Sequence, residues 1–147
     1  MAFTVKRQHV LVSGTFTPTY TFATPGDLNV VYSTQTGVFI KDKRIVWINV
    51  KLAASTFTHS TAASTFLIGG LPYACDLESG LSLIDINAGF SWTASYTGLG
   101  PRVVSGSSQC RIGQFRSANA RATMDIANVP TGGTPAIEFS GWYRTAS

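Results

Sequence analysis

GTFTPTYTFATPGDLNVVYSTQTGVFIKDKRIVWINVKL, residues 14–52, decides the fold. Its closing part, Arg44 to Leu52, alternates strictly. Val46, Ile48, Val50 and Leu52 fall on one side, and Asn49 and Lys51 on the other, with Ile45 and Trp47 at its start. Successive side chains of an extended chain point to opposite faces, so this period of two predicts a strand with one buried face. Working backwards, Lys41-Asp42-Lys43-Arg44 reads as a polar hairpin tip. Val38-Phe39-Ile40 and Asn29 to Thr36 read as strand, with Gly37 as a turn between them. Thr24-Pro25-Gly26-Asp27 is a turn by mechanism, because Pro presets φ and Gly accepts the positive-φ position. Thr15 to Phe22 places Phe16, Pro18, Tyr20 and Phe22 on one side and threonines on the other. Pro18 cannot donate to a ladder and argues for an edge. The stretch is a meander forming one wall of an antiparallel sandwich.

The remainder fits the same class. Thr65 to Ile68 runs into a Gly69-Gly70-Leu71-Pro72 corner, and Ala74 to Ile86 reads as an acidic loop. Phe90, Trp92, Ala94 and Tyr96 alternate with small polar residues as a one-sided strand that Gly98-Leu99-Gly100-Pro101 breaks. Arg102 to Val104 and Gln109 to Phe115 are short strands, Ser117 to Asn128 is a loop, and Ala136 to Tyr143 closes the domain. Ala53 to Ser64 is a loop or a strand exposed on one face. Many short strands between frequent turns predict an all-β protein, an antiparallel β-sandwich. The segment 1–13, with the apolar run Val10-Leu11-Val12, is an edge strand or an arm lying across a neighbouring subunit; the arm is preferred, leaving 14–147 as one domain.

A chain of 147 residues can bury roughly 70% of its unfolded surface without staples. Charged residues make up only 12%, about half the usual share of roughly 25%, so Ser, Thr, Asn, Gln and Gly build the polar surface. Such a surface tolerates close neighbours. The net charge of +4 is dispersed over Lys6, Arg7, the 41–44 tip and the separate arginines Arg102, Arg111, Arg116, Arg121 and Arg144. Nucleic-acid binding would want denser basic clusters beside aromatics, and attraction to an acidic partner surface is the better use. Cys75 and Cys110 form one disulfide or, in a reducing cytosol, stay as two buried thiols. No leader peptide and no apolar run of the ~20 residues a membrane span needs is visible.

Chemistry-bearing constellations are thin. His9 and His59 lie far from each other and from the cysteines, no zinc spacing exists, and no G-x-S-x-G elbow supports a Ser-His hydrolase. Asp76, Glu78 and Asp85 could pair as acid and base for glycoside cleavage or hold Ca²⁺ through oxygens, but the calcium-loop spacing is missing and acidic loops are usually just solvated. The aromatics Trp47, Trp92, Trp142, Tyr96 and Tyr143 could stack on sugars, although aromatics at period two are more often core or interface. Trp47 and Trp142 sit opposite the apolar stripes of their strands, where they would anchor an interface.

Four phrases in order, Gly14-Thr-Phe-Thr-Pro18, Tyr32-Ser-Thr-Gln-Thr-Gly37 with Val38-Phe-Ile-Lys41, Gly70-Leu-Pro-Tyr73 and Phe139-Ser-Gly-Trp-Tyr-Arg144, resemble a domain found at the C-terminal ends of tailed-bacteriophage tail fibres and on other virion surface proteins. The resemblance spans about Gly14 to Arg144 and departs from the family pattern at Asp42-Lys43-Arg44, where a Gly is usual. It implies a jelly-roll β-sandwich, a homotrimer without catalytic residues or cofactors, displayed on a virion assembled in the host cytoplasm. With so few residues ahead of Gly14, the expectation is a free-standing subunit rather than a fibre with its own shaft.

These readings lead to a capsid cement or decoration protein that binds the major capsid protein or other virion proteins without chemistry, nucleic acid or membrane. Lys6, Arg7, Val10, Leu11, Trp47 and Trp142 are its candidate partner-binding residues. The alternative is a receptor-binding module of a tail fibre or tail tip that holds a host glycan through Trp92, Tyr96, Asp76 and Glu78.

Overall fold

The apolar stripe of Val46, Ile48, Val50 and Leu52 is fully covered, and the strand that carries it is the central member of its sheet. A computed structural model describes residues 10–87, 89–91, 95–116 and 120–146. Among the described residues the strands are β1 (Val12–Phe16), β2 (Thr19–Thr24), β3 (Asn29–Asp42), β4 (Ile45–Thr58), β5 (Ala63–Gly69), β6 (Ser79–Gly80), β7 (Ser82–Ile86), β8 (Gly98–Val103), β9 (Cys110–Phe115), β10 (Ala122–Thr123) and β11 (Ala136–Arg144). One sheet has the order β1-β3-β4-β11-β7; the other runs β2-β5-β9-β8-β6, with β10 also on β9. Every strand pair is antiparallel. The chain is an all-β protein of two sheets.

A single apolar cluster fills the space between them. From the first sheet come the β4 stripe with Ile137, Phe139 and Tyr143; from the second come Tyr20, Phe22, Phe66, Ile68, Val103 and Ile112. Each fully covered aliphatic or aromatic side chain contributes roughly 1.5–3 kcal/mol. Tyr20 meets Phe57 edge-on across the gap at 6.0 Å, and Phe66 meets the loop residue Phe90 edge-on at 5.6 Å. The Tyr20 hydroxyl lies within reach of the carbonyls of Leu52 (3.1 Å) and Pro135 (3.2 Å), which share its single proton, so this buried polar tip is satisfied. Cys75 and Cys110 are both free thiols and both buried.

Several elements differ from the reading of the sequence. Thr15 to Phe22 is two strands, not one: the chain leaves the first sheet after Phe16 and enters the second at Thr19. Pro18 sits at that crossing, and both flanking strands are sheet edges. β3 runs unbroken through Gly37, which is not a turn. Gly37 faces Phe16, and Gly14 faces Phe39; a Cβ at Gly37 would lie 2.7 Å from the Phe16 ring, and one at Gly14 2.9 Å from that of Phe39. These glycines are kept bare to admit an aromatic ring from the opposite strand, a recognised device at sheet edges. Gly98-Leu99-Gly100-Pro101 begins β8 rather than breaking a strand, and the acidic stretch contains β6 and β7. Phe90 is buried but lies in no strand, and Trp92 and Ala94 of the expected strand fall outside the described residues. Val12 and Ser13 belong to β1, inside the segment read as an arm.

The Pro25-Gly26 turn is present, with Gly26 at φ +55°. Asp27 of that turn accepts hydrogen bonds from the N–H groups of Ser60 (2.8 Å) and Thr61 (2.7 Å), clasping the connection between β4 and β5. The Ser60 hydroxyl, followed by these two N–H groups, holds the Asp27 carboxyl well below the usual carboxylate range.

Candidate functional site

The outer side of the first sheet carries the exposed tryptophans. Residues directly opposite on neighbouring strands share a face. β11 places Trp142 across from Trp47 of β4, and β3 places Ile40 on the other flank of Trp47. Trp47 is 43% exposed and Trp142 54%, so the row is open to solvent. Val38 and Ile40 extend it towards β1, where a cavity of about 520 Å³ is lined by Ser13, Gly14, Val38, Ile40 and Trp47 among others. A second hollow of about 240 Å³ lies between Ile45, Trp47 and Trp142. Val10 and Leu11 are exposed immediately before β1. Lys6 and Arg7 lie outside the described residues.

The acidic residues do not converge. Asp76 takes the Nε–H of Arg144 at 2.9 Å and pairs with Arg44. Glu78 turns to a different pair, Arg102 and Arg111, the latter at 3.2 Å. Asp85 stands on β7 opposite Glu138. Each of Asp76 and Glu78 is tied to two guanidiniums, so the two do not stand as a free acid–base pair. Tyr96 lies under Arg116, whose guanidinium carbon is 4.8 Å from the ring centre. Trp92 falls outside the described residues, as does His9.

The other candidates for chemistry are structural. The His59 ring packs edge-on against Phe22 and Phe57, at 5.3 and 5.5 Å. Its Nε2 lies 3.0 Å from the Val129 carbonyl, which can only accept, so Nε2 carries the proton there. Tyr143 is covered, donates to the Tyr73 carbonyl at 2.9 Å, and is pushed up to about 12 by burial. Tyr143 therefore ties the Leu71-Pro72-Tyr73 corner to β11 and offers no platform for a sugar. Burial likewise raises the Cys75 and Cys110 thiols, the opposite of what a nucleophile needs. Among the described residues no three His, Cys, Asp or Glu side chains gather as a metal site.

A second surface emerges only from the register of the other sheet. On the outer side of β8 and β9, Gly98 faces Phe115, Gly100 faces Gly113, and Arg102 faces Arg111. Gly80 of β6 flanks Arg102, and Thr123 of β10 flanks Gly113. The Phe115 ring lies back across this bare floor: a Cβ at Gly100 would come within 2.9 Å of it, and one at Gly113 within 3.2 Å. Beside the ring is a cleft of about 470 Å³ bounded by Glu78, Gly80, Arg102, Phe115 and Arg121. Arg102 meets Glu78 as an ion pair rather than an aligned hydrogen bond. Of these residues the sequence reading singled out only Glu78 as a ligand group. The signal was there, in Arg111-x-Gly113-x-Phe115 alternating opposite Gly98-x-Gly100.

No family model and no curated protein sequence matches the chain. Among solved structures, the fold is similar to part of the Dettilon tailspike protein, with a TM-score of 0.67 and 15% identity over 91% of this chain. The matched part is 24% of that protein, so this chain spans about a quarter of its length. At that identity the likeness is one of fold. No helix among the described residues is long and apolar enough to cross a membrane.

Proposed function

We propose that the chain is a binding module of a tailed-phage virion, placed in the tail and facing a receptor glycan, that works without making or breaking bonds. The observation that carries this reading is the fold shared with a tailspike protein over nine-tenths of the chain. It favours the tail over the capsid-cement role that the sequence had put first. The jelly-roll type and the homotrimer belong to the same reading. The row Ile40, Trp47 and Trp142 supplies the self-association surface, since exposed aromatics near the centre of an apolar patch are the usual anchors of an interface. A chain with only 12% charged residues supports close contact between copies.

Two measurements on particles test it. Densitometry of purified virions should find the protein at the low abundance of a tail part, and purified protein added to host cells should block particle adsorption without releasing new reducing ends from host polysaccharide. Abundance matching the capsid shell, with no competition for adsorption, would return the cement reading, which the exposed apolar row serves equally well.

A further inference from the structure

We infer that the cleft on the outer side of β8 and β9 is a site for an acidic sugar, a pyranose bearing a carboxylate. The inference rests on the receptor-facing reading above and gives it a place on the molecule. Three features of the cleft meet in one ligand class. The first is a platform: Phe115 is 40% exposed although its neighbours on the strand are covered, and its ring reaches back over Gly100 and Gly113 instead of entering the core. Pyranose C–H faces stack on such rings, as apolar surface does on aromatics generally.

The second feature is the bare floor. Gly80 has open space above it and Gly100 also lines the cleft, so a ring-sized ligand can reach the backbone beside Phe115. The cleft volume of about 470 Å³ falls within the ~300–1,000 Å³ of small-ligand sites. Larger side chains at those positions would fill it.

The third feature is charge. Arg102 and Arg111 share a single carboxylate, Glu78, and Arg121 lines the same cleft as Glu78 and Arg102. Glu78 occupies two of the guanidiniums, while Arg121, exposed at the rim, has no ion pair or hydrogen bond with any described residue. One carboxylate of the cleft wall, Glu78, is already seated between two arginines. Arg121 offers the same fork to a second one, and guanidinium geometry matches a carboxylate with two parallel hydrogen bonds. A neutral sugar would leave this surplus unused, and a long polyanion would want the positive charge spread along a track.

The test uses the full chain, ¹⁵N-labelled, titrated separately with galacturonate and N-acetylneuraminate as two sources of the carboxyl-pyranose, with galactose and a short DNA duplex as controls. At least one acid sugar should shift the amides of Gly100, Gly113 and Phe115 saturably, and bind about tenfold or more tighter than galactose, the scale of one charge-assisted hydrogen bond. Arg121→Gln and Phe115→Ala should each weaken that binding by about tenfold, while the rest of the spectrum stays in place. No saturable shift with either acid, equal binding of galactose or DNA at the cleft, or unchanged affinity in both variants would overturn the site. If the protein still blocks particle adsorption in that case, the receptor-facing reading survives and only the acidic-sugar site falls; if it does not, both fall.

Discussion

Both sheets set phenylalanine against glycine across neighbouring strands, but they do so on opposite sides of the sandwich. In the first sheet, Phe16 over Gly37 and Phe39 over Gly14 lie on the inner side, where Gly37 is buried and Phe39 meets Tyr73 edge-on at 5.5 Å. In the second, Phe115 over Gly98, Gly100 and Gly113 lies on the outer side, where it stays 40% exposed. The same local pairing is thus cohesion where a second layer covers it and a platform where none does. What a ring-over-glycine motif is for depends on which face of the pleat carries it.

The contrast is easiest to break with the rings themselves. Phe39→Ala should cost about 2–3 kcal/mol, somewhat under the 3–5 of a fully buried Phe because the ring is only partly covered; Phe115→Ala should cost under about 1 kcal/mol, within the range of surface changes. Equal losses in urea unfolding would erase the distinction. The exposed tryptophans sharpen it on the other outer face. Trp47→Ala or Trp142→Ala should each weaken self-association by about 2 kcal/mol, roughly 30-fold in Kd, in sedimentation equilibrium, while leaving the unfolding midpoint nearly unchanged.

Glycine substitutions come next. Gly37→Ala drives a Cβ into three atoms of the Phe16 ring and should destabilise by about 1–2 kcal/mol through overpacking. Gly100→Ala meets only the far edge of the exposed Phe115 ring, so the ring swings away and the loss should stay below about 1 kcal/mol. The smallest effect concerns a clasp remote from both rings. Asp27 holds its proton less readily when folded than when unfolded, so its contribution is present above the ordinary carboxylate range and is lost as pH falls below it. Thermal melts should therefore show Asp27→Asn with less acid sensitivity than the parent protein below about pH 4.

The first part of β4, residues 45–52, was legible because its alternation is local and its inward positions are aliphatic, whereas its continuation to Thr58 reads equally as loop or strand. The tryptophans could be assigned to the polar side for the same reason, although their meeting as neighbours required the pairing of β4 with β11. Glycine was the main source of error. Locally a glycine that turns the chain and one that admits a ring look alike, so Gly37 and Gly98-Leu99-Gly100 read as interruptions when both lie within strands. The acidic residues misled for another reason: the partners of Asp76 are Arg44 and Arg144, distant in sequence and brought near only by the sheet register. Short strands such as β6 and β10 have too few residues for any periodicity to register.

The two sulfur atoms sealed between the sheets fix one further property of the molecule. Neither Cys75 nor Cys110 is bridged, and each is at most 1% accessible, so no cross-link has to be made for the chain to reach its final shape. The covalent skeleton is consequently the same before and after any passage from a thiol-rich interior to open air. Dithiothreitol should leave the melting curve where it was, and the two side chains offer no foothold for a mixed disulfide while the sandwich stays closed.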